Sequence, residues 1–166
     1  ANLPASASVE NFPLLVRLDK DFFDFAQARP DGRDIRFFAA DGKTALAYQI
    51  EQWDAAAGAA AVWVKIPKIT GNARQEIVLR WGNPAAEDAS DSKAVFGQSN
   101  GYVGVWHMVD GAADSTGRTA TKDSGTEDTA GMIGRARRLP GGKGVCSEDF
   151  LKGFPTGSQP HSTQAW

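Results

Sequence analysis

The chain has 166 residues, of which 42% are apolar and 23% charged, with a formal net charge of −2. That much apolar side chain excludes disorder by composition and suits one domain, or a small domain plus part of another. The near-neutral balance gives no general case for nucleic acid or an anionic membrane as partner.

A single cysteine, Cys146, excludes an internal disulfide framework and a zinc site of several cysteines. No run of about 18 apolar residues occurs, so no membrane insertion of this chain is expected. The opening residues, "ANLPASASVEN", read as a strand margin or linker. No signal-peptide pattern is visible in them, and a lost upstream leader and first strand are compatible with that reading.

Alternation of period two dominates the first half. In "FPLLVRLD", Phe12, Leu14, Val16 and Leu18 share one face and Arg17 and Asp19 the other. "KDFFDFAQA" is the one helical candidate, a turn or so that ends at "RPDG". "DIRFFAADGKTALAYQIEQW" holds two strand-like runs around Asp-Gly, a hairpin signal. After that turn Leu46, Tyr48 and Ile50 point one way, Gln49 and Glu51 the other. In "AAVWVKIP" Val62, Val64 and Ile66 are inward, Trp63 and Lys65 outward, and Pro67 is expected to close the strand. "QEIVLRWGNP" puts Ile77, Leu79 and Trp81 in register before a Gly-Asn-Pro turn. Five strands joined by turn signals predict an all-β antiparallel β-sandwich.

Residues 84–100 turn small, polar and acidic, which fits a linker or surface helix and makes 1–100 the first domain. Strands are expected to resume in 101–166 with "GYVGVWHMVD". After a loop rich in Gly, Thr and Asp come "GMIGRARRL", whose Arg135 and Arg137 read as a solvated face, and finally "HSTQAW".

The ordered series "FPLLVRLD…RPDGRDIRFFAADG…QIEQW…VWVKIP…RWGNP", over 12–84, resembles a bacterial family known as domain of unknown function 2341. The second half, through "GVWHMVD", "DSTG", "GMIGRARRLPGG" and Thr163 to Trp166, resembles the start of a concanavalin A-like, laminin-G-type jelly roll. By that resemblance the second domain is incomplete. The pairing resembles envelope proteins fused to proton-channel subunits, surface adhesins and proteins of polysaccharide-degrading systems. It implies an extracytoplasmic location (periplasmic, cell-surface or secreted) and brings no catalytic residue.

The residues themselves offer little catalysis. His107 and His161 are the only histidines, and neither they nor Cys146 has a placeable orienting partner for a dyad. No Glu-x-Asp-x-x-Glu run marks glucanase acids. Calcium is the one cofactor considered, with Asp110 and Asp114 ahead of Asp19, Asp21 and Asp24, although acidic turn residues mostly cap turns. Trp63 and Trp53, both off the inward face, are candidate ligand platforms, since sugars present apolar faces and hydroxyl edges. The alternative for Trp63 is packing against the second domain or a loop. Arg17, Arg36 and Glu51 read as a surface ion-pair set.

The expectation is a non-enzymatic binding or scaffold module of a bacterial envelope or secreted protein, with a glycan or protein as partner. Two competing readings stand beside it. One is a fragment of a concanavalin-like glycoside hydrolase whose acids lie elsewhere. The other is a subunit of a surface layer or filament whose truncated sandwich a second chain completes by strand addition.

Overall fold

The computed structural model describes residues 4–109, 111–147 and 153–163. The chain divides into two compact units, Ala1–Val95 and Phe96–Trp166. The regular secondary structure of the described residues is mainly strand, paired antiparallel throughout the named sheets, with little helix, which makes the fold all-β.

The first unit holds six strands: β1 (Ser8–Asp19), β2 (Arg36–Ala39), β3 (Ala45–Leu46), β4 (Tyr48–Asp54), β5 (Ala59–Thr70) and β6 (Ile77–Arg80). They form two sheets, ordered β1-β5-β4 and β3-β2-β6. Phe37, Leu46, Tyr48, Val62, Val64 and Ile66 meet between them in one core, with Leu14, Val16, Ile77 and Leu79 packed on it. Alternate residues point to one face of a strand, so the inward series read from the sequence is the one that is buried.

The run after the Asp-Gly hairpin is two strands, which makes six where five are expected. It breaks at Ala47, so β3 belongs to one sheet and β4 to the other. The Ala47 carbonyl at the break accepts the Lys65 N–H at 2.9 Å. The hairpin is the one its Asp-Gly announces. Asp41 takes the N–H groups of Lys43 and Thr44 at 2.8 and 2.9 Å, and Gly42 holds φ 64°.

Pro67 does not close its strand. β5 runs on to Thr70 because its pairing with β4 stops at Val64, leaving Pro67 with a ladder on the β1 side only. Asn11, opposite Pro67 by register, sits at φ 53° and interrupts the pairing there. Among the described residues no strand pairs with the other edge of β1. Lys65 sends its N–H toward Ala47, so its partner Pro13 turns its donor-less nitrogen to that open edge. Phe12 and Trp81, expected inward, lie at the rim, 40% and 39% exposed.

Residues 84–91 are not a free linker. Ser90 bridges Tyr48 in parallel and its hydroxyl accepts the Ile50 N–H at 2.9 Å, while Asp91 donates its N–H to the Tyr48 carbonyl at 2.8 Å. This strap covers the edge of β4. It leads into a short helix, α1 (Ser92–Phe96), whose Val95 and Phe96 are buried.

The second unit carries two nested pairs: β7 (Thr121–Asp123) with β10 (Val145–Ser147), and β8 (Glu127–Ala130) with β9 (Arg135–Arg138). The expected strand at 101–109 is irregular backbone. Its Val105 N–H and carbonyl are bonded to the Asp114 carboxylate and the Ser115 N–H, not to a ladder. "GMIG" is the turn before β9, closed by Gly131 N–H to the Gly134 carbonyl at 2.8 Å. His161–Thr163 are not in a strand, and Gln164–Trp166 lie outside the described residues.

One position tests the packing of the first unit. Gly32 is at φ 70°, and a Cβ there would run into the Trp53 indole. Gly42 is at φ 64°, with only the far end of the Arg80 side chain, Nη2, at 3.2 Å from such a Cβ. In urea denaturation Gly32→Ala should cost about 3 kcal/mol, and Gly42→Ala about 1 kcal/mol, the difference being overpacking.

Candidate functional site

Two features of the first unit compete for a functional role: a polar cluster around "RPDGRDIRF" and an open cleft beside the turn at Phe25. The cluster centres on Asp34, 3% exposed. One of its carboxylate oxygens accepts the Arg29 N–H at 2.9 Å and the other the Gly82 N–H at 2.7 Å. Arg29 donates onward to the Pro84 carbonyl, and Arg36 to the carbonyls of Arg33, Ile35 and Glu87 and to the Tyr48 hydroxyl. The Tyr48 hydroxyl donates to the Ile35 carbonyl at 2.7 Å. The Gly82–Asp34, Arg29–Pro84 and Arg36–Glu87 contacts tie the chain around the start of β2 to the segment after β6, and the others brace it locally and against Tyr48. The polar residues are therefore directed at the chain's own backbone, as a clasp.

The cleft, about 560 Å³, lies between Lys20–Ala26 and Ala55–Gly58. Its first wall is fixed by hydrogen bonds to acidic residues. Asp19 accepts the Asp21 N–H on its side chain at 2.9 Å and the Phe23 N–H on its carbonyl at 2.9 Å. Asp24 caps the 3-10 turn Phe25–Gln27, taking the Ala26 N–H and the Gln27 Nε2 at 3.0 Å each. The second wall is a tight turn of small residues, in which Asp54 accepts the Ala57 N–H at 2.8 Å and Gly58 holds φ 68°. Lys20 N–H to the Gly58 carbonyl, at 3.0 Å, joins the walls. Phe23 and Phe25 are buried beneath, in edge-to-face contact at 4.9 Å, with Trp81 at 5.0 Å from Phe23. Phe22 stands out at the lip, 66% exposed.

The residues singled out from the sequence fall elsewhere. Trp53 faces inward. The β4–β5 register shifts between Ile50 and Gln52, so a bulge moves Trp53 from the outer face to the inner one, opposite Ala60. Its ring packs on Phe23 and Phe25 at 5.8 and 5.2 Å. Trp63 does face outward, half-buried between Leu15 and Gln49, with its indole N–H donated to Glu51. Of the expected ion-pair set, Arg36 donates within the clasp and Glu51 accepts the Trp63 indole N–H.

Asp110 lies outside the described residues. Asp114 is buried, and its carboxylate already accepts the N–H groups of Val105, Thr116 and Thr119, each at 3.0 Å, and the Thr116 hydroxyl at 2.7 Å. Burial opposes its charge, but those four bonds hold its carboxyl below the ordinary range. With its lone pairs so engaged, Asp114 organises a loop and offers little to a cation. Among the described residues no three His, Cys, Asp or Glu side chains come together to hold a metal ion. Asp19 and Asp24 cap turns, as noted. Cys146 is exposed on β10, opposite Lys122. His107 packs edge-on against Phe96 at 5.0 Å, and His161 contacts the Gln159 carbonyl.

The basic stretch in β9 is only partly a solvated face. Arg137, its side chain 15% exposed, bonds Asp123 at 2.7 Å, Asp128 at 3.0 Å and both the hydroxyl and carbonyl of Thr126. Arg135 also meets Asp128. This network laces β7, β8 and β9 together.

Residues 31–112 match the model of a domain of unknown function, DUF2341. The DUF2341 match begins at Asp31, beside the clasp, and extends past Val95 into the second unit. No curated protein and no solved structure matches the chain. The fold of the DUF2341 stretch is thus read from its own residues.

Two measurements follow. Asp34→Ala removes the acceptor of two part-buried N–H groups and should cost the first unit about 2 kcal/mol, read by urea denaturation. The hydroxyl and N–H of Thr126, then Arg137, hold the Asp123 carboxyl well below its ordinary 3.8, and Arg135 first does the same for Asp128. Depressed carboxyls contribute stability above the unfolded value, and lose it as pH falls through 3.8 toward the folded value. Side-chain carboxyl NMR shifts should place both midpoints below 3.8, with Arg137→Ala raising them.

Proposed function

We propose that this chain is a non-enzymatic, extracytoplasmic binding or scaffold module of a bacterial envelope or secreted protein, with a glycan as the favoured ligand class. The reading takes the second unit as laminin-G-type. One observation carries it most: Arg29, Asp34 and Arg36 of "RPDGRDIRF" are occupied by the chain's own carbonyls and N–H groups. The most distinctive polar segment of the first unit thus has a structural use, and no acid–base pair emerges from it. What stays open to solvent is a shaped cleft with an aromatic lip. Glycan recognition favours that combination, since stacking on a ring and hydrogen bonding at its edge need no ionised catalytic group. A location outside the cytoplasm fits the resemblance to envelope proteins, and no helix among the described residues is long and apolar enough to cross a membrane.

Native affinity electrophoresis tests the reading. The purified protein should be retarded by at least one soluble polysaccharide and should leave that polymer's chain length unchanged. Shortening of the polymer would favour the glycoside hydrolase reading instead. Absence of retardation by every polymer would rule the glycan ligand out.

A further inference from the structure

The cleft beside Phe25 carries a more specific assignment, which rests on the binding reading above. We infer that Lys20–Ala26 and Ala55–Gly58 form a subsite for one or two rings of a neutral, hydroxyl-rich saccharide, with Phe22 as its stacking platform.

Phe22 is unusual in being both exposed and held. A phenyl ring 66% open to water loses hydrophobic stabilisation, yet the backbone that presents it is pinned on both sides. The Phe22 and Phe23 N–H groups both go to the Asp19 carbonyl, at 3.3 and 2.9 Å, and Asp24 caps the next turn. A ring on so ordered a turn costs little further entropy to use, which is what a stacking surface requires. Trp53 and Trp81 brace the platform from behind through Phe23, at 5.8 and 5.0 Å.

The polar groups at the lip select the ligand chemistry. Among the described residues the Lys20 ammonium and the Asp21 carboxylate have no side-chain partner, so the lip offers donors and an acceptor together. Asp24 has both carboxylate oxygens engaged. A polyanion would meet Asp21 and a polycation Lys20, whereas a hydroxyl accepts from the one and donates to the other. The opposite wall, Ala55, Ala56, Ala57 and Gly58, is of small residues and leaves room for a ring. A volume of about 560 Å³ falls within the range of small-ligand sites.

The test compares variants of the full chain by affinity electrophoresis in neutral β-glucan, xylan and galactomannan, with alginate as the anionic comparison. The wild type should be retarded by a neutral polymer, and Phe22→Ala should weaken that by about tenfold, the loss expected for one stacked ring. Phe22→Trp should retain binding and Trp63→Ala should leave it unchanged. Circular dichroism of Phe22→Ala should match the wild type, the side chain being exposed. Retention in Phe22→Ala with loss in Trp63→Ala would overturn the subsite while leaving the glycan reading standing. Retardation by alginate alone would overturn the neutral ligand. No retardation of the wild type by any polymer would overturn the subsite and count against the glycan reading as well.

Discussion

The buried carboxylate of Asp34 bridges two backbone N–H groups 53 residues apart, those of Arg29 and Gly82. Burying a carboxylate is costly unless its oxygens are satisfied, and here each has a donor. The bridge brings the chain leaving β6 next to the chain entering β2. Arg36 can then reach the Glu87 carbonyl, and the 84–91 strap is aimed along the edge of β4. The strap in turn covers an edge that would otherwise present unpaired donors and acceptors. The clasp thus governs where the first unit's sequence can go after its last strand.

The two units are held by different means. In the first, the sheets share an apolar core in which Ile35, Val62 and Val64 are fully buried. In the second, short strands are joined by carboxylates and hydroxyls: Asp123 to Thr126 and Arg137, Asp114 to Thr116 and Thr119. Its buried polar residues, Asp114, Thr116, Thr119 and Thr126, outnumber its described buried apolar ones, Phe96 and Ala112. Hydrogen bonds of this kind fix geometry but contribute modestly to net stability each, so the second unit depends on many of them together.

That difference also sets what was legible in the amino-acid sequence. Period-two alternation names inward residues of β1, β3, β4 and β5 because an apolar core enforces it, and Asp41-Gly42 names its hairpin. Legibility ends where one residue changes the phase. The bulge after Ile50 reverses Trp53, and no local signal in "YQIEQWD" announces it. Pro67 misleads because its tolerance depends on where β4 ends, which is a property of the sheet. In the second unit "GYVGVWHMVD" reads as a strand, yet Asp114, nine residues after Val105, takes over its donor. The cleft is illegible for another reason: its walls come from separate segments, Lys20–Ala26 and Ala55–Gly58.

Ala47 has a consequence for how the first unit comes apart. A single residue separates β3 in one sheet from β4 in the other, and its carbonyl is bonded to Lys65 in the centre of the second sheet. There is no slack in that connection, so neither sheet can fray away while its neighbour stays intact. Opening of the first unit is then one concerted event, and its slowest-exchanging amides on both sheets share a common free energy of exposure.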